Sequence, residues 1–217
     1  TQAPFTVRAV AADVLRHPLS KIKVIPMEIG GGFGGKIAAY LEPIAALLSR
    51  KTGTPVKVLM NRIEVFESSG PAPGSWMKIK IGATKEGKMT ACQASLAFEA
   101  GAYPGSPVMQ GMTCAFACYD VPNGRVDGYD VVVNKPKTAA YRAPGSTNAA
   151  FATEAIMSKL AEKLDIDPIE FRLMNVAKEG TRRADGPVFP RIGCMEVLEA
   201  MRDHPHYSTP LEGANLG

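Results

Sequence analysis

Alternating apolar and polar residues predict a β-hairpin near the middle of the chain. The two strands cover residues 76–82 and 89–98, and Lys85-Glu86-Gly87-Lys88 forms the turn between them. Three further β-branched runs predict strands, at residues 21–29, 55–60 and 128–134. Strands of this length need partners in a sheet, so we expect them to pair with one another.

Apolar residues at helical spacing predict four helices, at residues 7–15, 42–51, 148–164 and 194–201. Asp167 before Pro168 predicts the start of a shorter one. The longest helix is expected to bury one face, formed by Ala152, Ile156, Leu160 and Leu164. In the last helix we expect Val197, Leu198 and Met201 to face inward. Hairpins and helices alternate irregularly, which is typical of an α+β fold with a mixed sheet.

Length and charge narrow the function classes. The chain has 217 residues and a net charge of +4, with no basic tract, which argues against nucleic-acid binding. No apolar run approaches about 18 residues, so we expect no membrane span. The sequence opens directly into a strand-like stretch, and the pattern of residues 211–217 predicts neither a helix nor a strand. We therefore expect a fragment of a longer polypeptide, with possible subdomains at residues 1–75 and 76–205.

The cysteine spacing does not match a metal site. The four are Cys92, Cys114, Cys118 and Cys194, with no second close pair and no neighbouring His. Buried free thiols in a reducing, cytoplasmic compartment are the simpler interpretation.

The most unusual stretch is Gly30-Gly31-Gly32-Phe33-Gly34-Gly35-Lys36, which lies between a predicted strand and a predicted helix. A simple turn needs one or two glycines, so five favour a ligand loop. Glycines allow a positive φ and a close approach to the ligand, and exposed N–H groups at a helix start bind anions.

Two nucleotide motifs match this loop only in part. Gly30-x4-Gly35-Lys36 resembles a P-loop, but Ile37 stands where Ser or Thr would bind Mg²⁺. The Gly30-x-Gly32-x-x-Gly35 spacing matches a dinucleotide fingerprint, but the acidic residue expected about 20 positions later is missing.

Several ordered motifs together resemble one family. These are Gln2, the loop at residues 30–36, Tyr119-Asp120-Val121-Pro122-Asn123, the loop at residues 135–146, and residues 154–172. In order and spacing they are similar to the molybdenum-cofactor-binding subunit of the xanthine dehydrogenase/aldehyde oxidase family, specifically its first molybdenum-binding domain. The resemblance implies a molybdopterin ligand, possibly as a dinucleotide.

The resemblance also implies site residues. Gln2 matches a glutamine that donates to a molybdenum oxo ligand, although it could simply be exposed to solvent. Phe33 matches a loop residue whose backbone approaches the metal centre, and a packed loop aromatic is the alternative. Arg142 matches an arginine that contacts the cofactor, where a surface arginine is the alternative. The backbones of Gly31, Gly32 and Gly34 are expected to contribute to the same cofactor site.

Three departures concern the substrate pocket. Purine-hydroxylating members carry an acid at the position of Ile37, an arginine at that of Gln110 and an aromatic at that of Pro144. Each change removes a polar or π contact to a purine, so xanthine is doubtful. Ala143 stands where the carbon monoxide dehydrogenase branch has a copper-binding cysteine.

The implied reaction is hydroxylation of an aldehyde or N-heteroaromatic carbon with water, with electrons leaving through iron–sulfur clusters and flavin on partner chains or segments. The family's general base is a glutamate, and Glu179, Glu196 and Glu212 do not match its context. We therefore expect this chain to be inactive without the rest of the molybdenum subunit. A non-catalytic scaffold that retains the fold without cofactor is the alternative.

Overall fold

A computed structural model describes residues 1–183 and 185–210 of the chain. The helices of this described part are α1 (Pro4–Leu15), α2 (Glu42–Thr52), α3 (Arg62–Ser68), α4 (Val108–Cys114), α5 (Ser146–Leu164), α6 (Pro168–Asn175) and α7 (Cys194–Arg202). The strands are β1 (Ser75–Ala83), β2 (Met89–Gly101) and β3 (Gly124–Val132). No helix in this part is long and apolar enough to cross a membrane.

Within the described residues, the sheet has the order β1-β2-β3. β1 and β2 form the predicted hairpin, closed by a hydrogen bond of 2.8 Å from the Thr84 N–H to the Lys88 carbonyl. Cys92 donates to the Asn123 carbonyl, and Val133 donates to the Gly101 carbonyl. Residue numbers therefore increase in the same direction along the two paired strands, so β3 is parallel to β2. The predicted α+β class with a mixed sheet is confirmed.

The chain divides into two compact units. Unit 1 contains residues 1–76, 97–108 and 129–147, and unit 2 contains the remainder. In unit 1, α1 packs on α2, and Val7 and Phe98 are fully buried. The main cluster of unit 2 joins buried Met89, Met157 and Phe171.

The residues that predict helix ends in the sequence lie at helix ends in the structure. α2 carries Pro43 in its first turn and ends at Gly53, whose φ of 70° suits a residue without a side chain. At α6, the Asp167 carboxylate accepts hydrogen bonds from the N–H groups of Ile169 and Glu170, at 2.8 and 3.0 Å. The helix predictions at 7–15, 42–51 and 148–164 are confirmed.

Two predicted strands are wrong. Residues 21–29 and 55–60 include no strand; a short 3₁₀ turn at Leu19–Lys21 precedes extended backbone in the first of them. Ile25, Met27 and Leu59 are largely exposed. β-Branched residues favour extended backbone, but a strand also requires a paired ladder.

The second of these segments is followed by the short helix α3, which none of the predicted elements covers. Asn61 accepts a hydrogen bond from the Glu64 N–H, and Glu64 accepts one from the Asn61 N–H, so the two form a capping box.

Two predicted helix faces need correction. In α5 the most buried face is displaced by one residue from the predicted face, and it consists of Ala149, Thr153, Met157 and Ala161. Thr153 is held there because its hydroxyl donates to the Ala115 carbonyl at 2.6 Å. In α7, Val197 and Met201 are more than half exposed.

Candidate functional site

The glycine loop, residues 30–36 (the first loop), has backbone φ angles that residues with a side chain rarely adopt. Gly30, Gly31 and Gly34 have φ values of 63°, 144° and 97°. Phe33 also has a positive φ, 48°, although it is not a glycine. Such strain is held by surrounding contacts and concentrates at functional sites.

The first loop does not lead directly into a helix, so the expected helix-start anion site is wrong. α2 begins only at Glu42. The N–H groups of Gly34, Gly35 and Lys36 are already paired inside unit 1. Among the described residues, the N–H groups of Gly31, Gly32 and Phe33 have no acceptor. These three groups are the donors that remain for a ligand.

The Lys36 side chain is not available for a phosphate either. Its ammonium group donates to the Ile29 carbonyl, within the chain that leads into the loop. The P-loop interpretation fails on this contact as well as on Ile37, because a P-loop lysine reaches the nucleotide phosphates.

Gln2 is clamped to the first loop with a defined orientation. Its backbone N–H donates to the Lys36 carbonyl at 2.8 Å. Its side-chain Oε1 accepts from the Gly34 and Lys36 N–H groups, at 3.0 and 3.2 Å. Two N–H donors converge on this atom, so it must be the amide oxygen. The Gln2 NH₂ group is left as a donor directed away from those two N–H groups.

Gly32 provides the space for this clamp. A Cβ at Gly32 would lie 2.3 Å from Gln2 Oε1, which is far inside contact distance. Any larger residue would therefore displace the Gln2 amide.

The second loop, residues 135–146, presents Arg142 beside Phe33. The Arg142 N–H donates to the Phe33 carbonyl at 2.6 Å, which joins the two loops through their backbones. Arg142, Ala143 and Gly145 have φ values of 20°, 53° and 78°. The Arg142 side chain is exposed, and its guanidinium makes no hydrogen bond or ion pair with the described residues.

The second loop rests on glycines that allow close backbone contact. A Cβ at Gly34 would lie 2.9 Å from the Ala140 carbonyl oxygen. One at Gly101 would lie 2.1 Å from the Pro136 carbonyl oxygen, and one at Gly70 would lie 2.5 Å from the Ala139 Cβ. The Ala139 N–H also donates to the Pro71 carbonyl at 3.0 Å.

Together these contacts build a site rich in donors within unit 1. It offers the Gln2 amide NH₂, the backbone N–H groups of residues 31–33 and the Arg142 guanidinium. Donors and positive charge converging on one place suit an anionic ligand with many oxygens.

Comparison with known proteins identifies this ligand class. Residues 1–176 match the family described as the molybdopterin cofactor-binding domain. The chain belongs to this family. Its geometry fits such a cofactor, because Gly32 and Gly34 have no room for a Cβ and the N–H groups of residues 31–33 can donate to the cofactor's phosphate and oxo groups.

Curated relatives place the domain in a class of oxidoreductases. The chain is 36% identical over 207 residues to the nicotinate dehydrogenase large molybdopterin subunit of Eubacterium barkeri, covering 94% of this chain and 49% of the relative. It is 32% identical over 212 residues to a probable xanthine dehydrogenase subunit of Bacillus subtilis, covering 94% and 28%. The chain thus spans half or less of these relatives.

Solved structures share the fold. The quinoline 2-oxidoreductase from Pseudomonas putida 86 superposes with a TM-score of 0.88 at 26% identity, over 93% of this chain and 27% of that chain. The aldehyde oxidoreductase from Desulfovibrio gigas superposes with a TM-score of 0.84 at 25% identity, over 90% and 22%. The chain is therefore the first molybdenum-cofactor-binding domain of the xanthine dehydrogenase/aldehyde oxidoreductase type.

The structure brings most of the predicted site residues together. Gln2, Phe33 and Arg142 meet through the two loops, with Gly31, Gly32 and Gly34 beneath them. Ile37 follows directly and is partly exposed, and Pro144 is half-buried in the second loop. Gln110 lies on α4, exposed, in unit 2.

Sequence reasoning missed the glycines that support the second loop. Gly101 ends a long β-strand, and an isolated glycine in a strand pattern is a known signal for close backbone approach. Gly70 lies in a Pro- and Gly-rich stretch and has no comparable signal.

Proposed function

We propose that the two loops of unit 1 hold one side of a molybdenum cofactor in an enzyme that hydroxylates carbon with water. The observation that supports this most is the pair of strained loops that carry Gln2 and Arg142: the Gln2 amide binds the first loop, and the Arg142 N–H joins the second loop to it. When bound, the cofactor supplies two-electron oxidation of a carbon–hydrogen bond.

The chain's own contribution is binding and electrostatic positioning. The Gln2 NH₂ and the N–H groups of residues 31–33 would donate hydrogen bonds to oxygen atoms of the bound cofactor. Arg142 adds a positive charge that needs no proton exchange, because guanidinium stays charged at neutral pH. Preorganised donors of this kind are effective because the strained backbone fixes them before the ligand arrives.

The substrate class we propose is an aldehyde or an N-heteroaromatic compound. Ile37 and Pro144 stand where a purine-hydroxylating site has polar and aromatic contacts, and they make a less polar pocket. Three of the four proteins named above carry names that agree with this class, since they refer to nicotinate, quinoline and aldehydes, whereas the name of the Bacillus subtilis relative refers to xanthine. The role of Gln110 rests on the family resemblance alone and stays a prediction.

The chain is proposed to act only with partners. The rest of the molybdenum subunit would supply the general-base glutamate, and iron–sulfur and flavin subunits or segments would remove the electrons. Large apolar side chains of unit 1 are exposed, among them Phe5, Leu59 and Phe66, and the rest of the subunit would cover them. A cytoplasmic location is part of the same proposal, because all four cysteines are free thiols.

The molybdenum content of the natively purified parent subunit with its neighbours tests this function. We expect nearly one metal per subunit, and a several-fold lower content in Arg142→Ala. Arg191→Ala is the matched control, because Arg191 is an exposed arginine in unit 2. Its metal content should equal that of the unaltered protein.

A folded protein without molybdenum, from cells that make the cofactor, would favour the scaffold alternative. Equal metal content in Arg142→Ala and Arg191→Ala would contradict the role of Arg142 while leaving the cofactor assignment in place.

A further inference from the structure

Unit 2 contains a cavity that the cofactor site does not use. Its volume is about 570 Å³, and its walls are mostly apolar. Val176, Val197, Leu198 and Met201 form much of the lining. Two thiols, those of Cys118 and Cys194, open onto the same space.

The cavity wall beside the thiols is rigid. The Tyr119 hydroxyl donates to Glu154 Oε1 at 2.6 Å, and Arg172 Nε donates to Glu154 Oε2 at 2.8 Å. The Cys118 carbonyl accepts a hydrogen bond from the Ala177 N–H at 2.9 Å. These contacts fix Cys118 on one wall, independently of α7.

Cys194 lies on the opposite, more adaptable element. It is the first residue of α7 and follows Gly193. α7 packs on α6 but leaves Val197 and Met201 more than half exposed. Cys118 and Cys194 line the same cavity, and they lie close enough for the Cys194 thiol to affect the pKa of Cys118. An adjustment at the start of α7 would bring the sulfur atoms together.

We propose that Cys118 and Cys194 form a reversible disulfide that fastens α7 across this cavity. The oxidant is a low-molecular-weight disulfide of the glutathione class. One cysteine thiolate attacks it, forming a mixed disulfide and releasing one thiol. The second thiolate attacks the protein sulfur of that mixed disulfide and releases the second thiol. Two cysteine thiols are oxidised, and one small disulfide is reduced to two thiols.

The environment of Cys118 sets the pH at which the exchange is fast. Partial burial of the thiol, followed by the neighbouring Cys194 thiol and Glu154 carboxylate, raises the pKa of Cys118 to about 11, although the residue as a whole is exposed to solvent. Cys114 also faces this sulfur, and Tyr119 and Arg172 lie on the same wall. The thiolate fraction should therefore rise about tenfold per pH unit below that pKa, and disulfide formation should accelerate in parallel.

The test uses the whole parent protein in glutathione redox buffers. Free thiols are alkylated, and digests are searched by mass spectrometry for the Cys118–Cys194 peptide pair. We expect this pair to form at oxidising ratios, to disappear with excess reduced glutathione and to form faster from pH 7 to pH 9. The oxidised protein should show slower hydrogen exchange in α7.

Cys194→Ser should abolish the linked pair, and Cys114→Ser should leave it intact. Since Cys118→Ser could disturb a packed wall, Cys194→Ser carries the test. Separate glutathione adducts on Cys118 and Cys194 without a link would overturn the proposal, as would a preferred Cys114–Cys118 link. The readout is a covalent bond in unit 2, so a failure here would leave the molybdenum measurement on Arg142 unaffected.

Discussion

At the scale of residues, the candidate site depends on glycines at positions where a side chain would not fit. Gly32 leaves room for the Gln2 amide, and Gly34 leaves room for the Ala140 carbonyl. Family motifs in the sequence predicted Gln2, Phe33 and Arg142, since residue identity is what a motif records. The orientation of the Gln2 amide could not be predicted, because two N–H groups in a distant loop determine it.

Gly32→Ala in the parent subunit should lower molybdenum content several-fold. The new methyl group would push Gln2 Oε1 from its two donors, and each lost hydrogen bond costs about 1 kcal/mol. Gly35→Ala is the control in the same loop, because its Cβ would meet only the Gly32 carbonyl oxygen, at 3.4 Å. Similar metal loss in both variants would contradict the proposed role of the Gln2 clamp.

At the scale of elements, the periodicity of apolar residues correctly predicted several helices and the hairpin, whose formation depends on local sequence. The hairpin and the helices α1, α2 and α5 follow from patterns inside each segment. The strands predicted at residues 21–29 and 55–60 failed because pairing depends on another segment. The parallel placement of β3 was likewise outside the reach of local patterns.

One side chain in unit 2 links α6 to the hairpin. Asn175 is fully buried; its Oδ1 accepts from the Met89 N–H, and its Nδ2 donates to the Gly87 and Phe171 carbonyls, all at 2.8 Å. Asn175→Ala would leave buried backbone groups without partners, each costing about 1–3 kcal/mol.

We therefore expect Asn175→Ala to lower the free energy of unfolding of unit 2 by about 3 kcal/mol. Hydrogen exchange at residues 87–89 of the parent protein would show this as a large acceleration. Asn123→Ala removes one exposed hydrogen bond, to the Thr90 carbonyl, and should change exchange little. Equal effects of the two substitutions would show that burial of the Asn175 network is unimportant.

At the scale of the whole molecule, the chain corresponds to only part of the length of its relatives. It spans 49% of one curated relative and 28% of another. The family could be predicted from ordered motifs, whereas the division into two units could not, because the strands pass through both.

The isolated 217-residue chain should not reduce an electron-accepting dye in the presence of aldehydes or N-heteroaromatics. In our proposal the general base and the electron carriers lie outside this chain. The parent complex, assayed in parallel with the same substrates, is the positive control. Substrate-dependent dye reduction by the chain alone would contradict the proposal that the general base and the electron carriers lie outside it.

The hydrogen bond between the Arg142 N–H and the Phe33 carbonyl has a consequence for the order of folding. It joins positions far apart in the chain, whereas the β-hairpin and the helices close over short separations. Contacts between distant positions carry a larger loop-closure entropy and tend to form late. The first and second loops should therefore be the last part of unit 1 to assemble, so a cofactor bound there, as we propose, would enter a domain whose local elements have already formed.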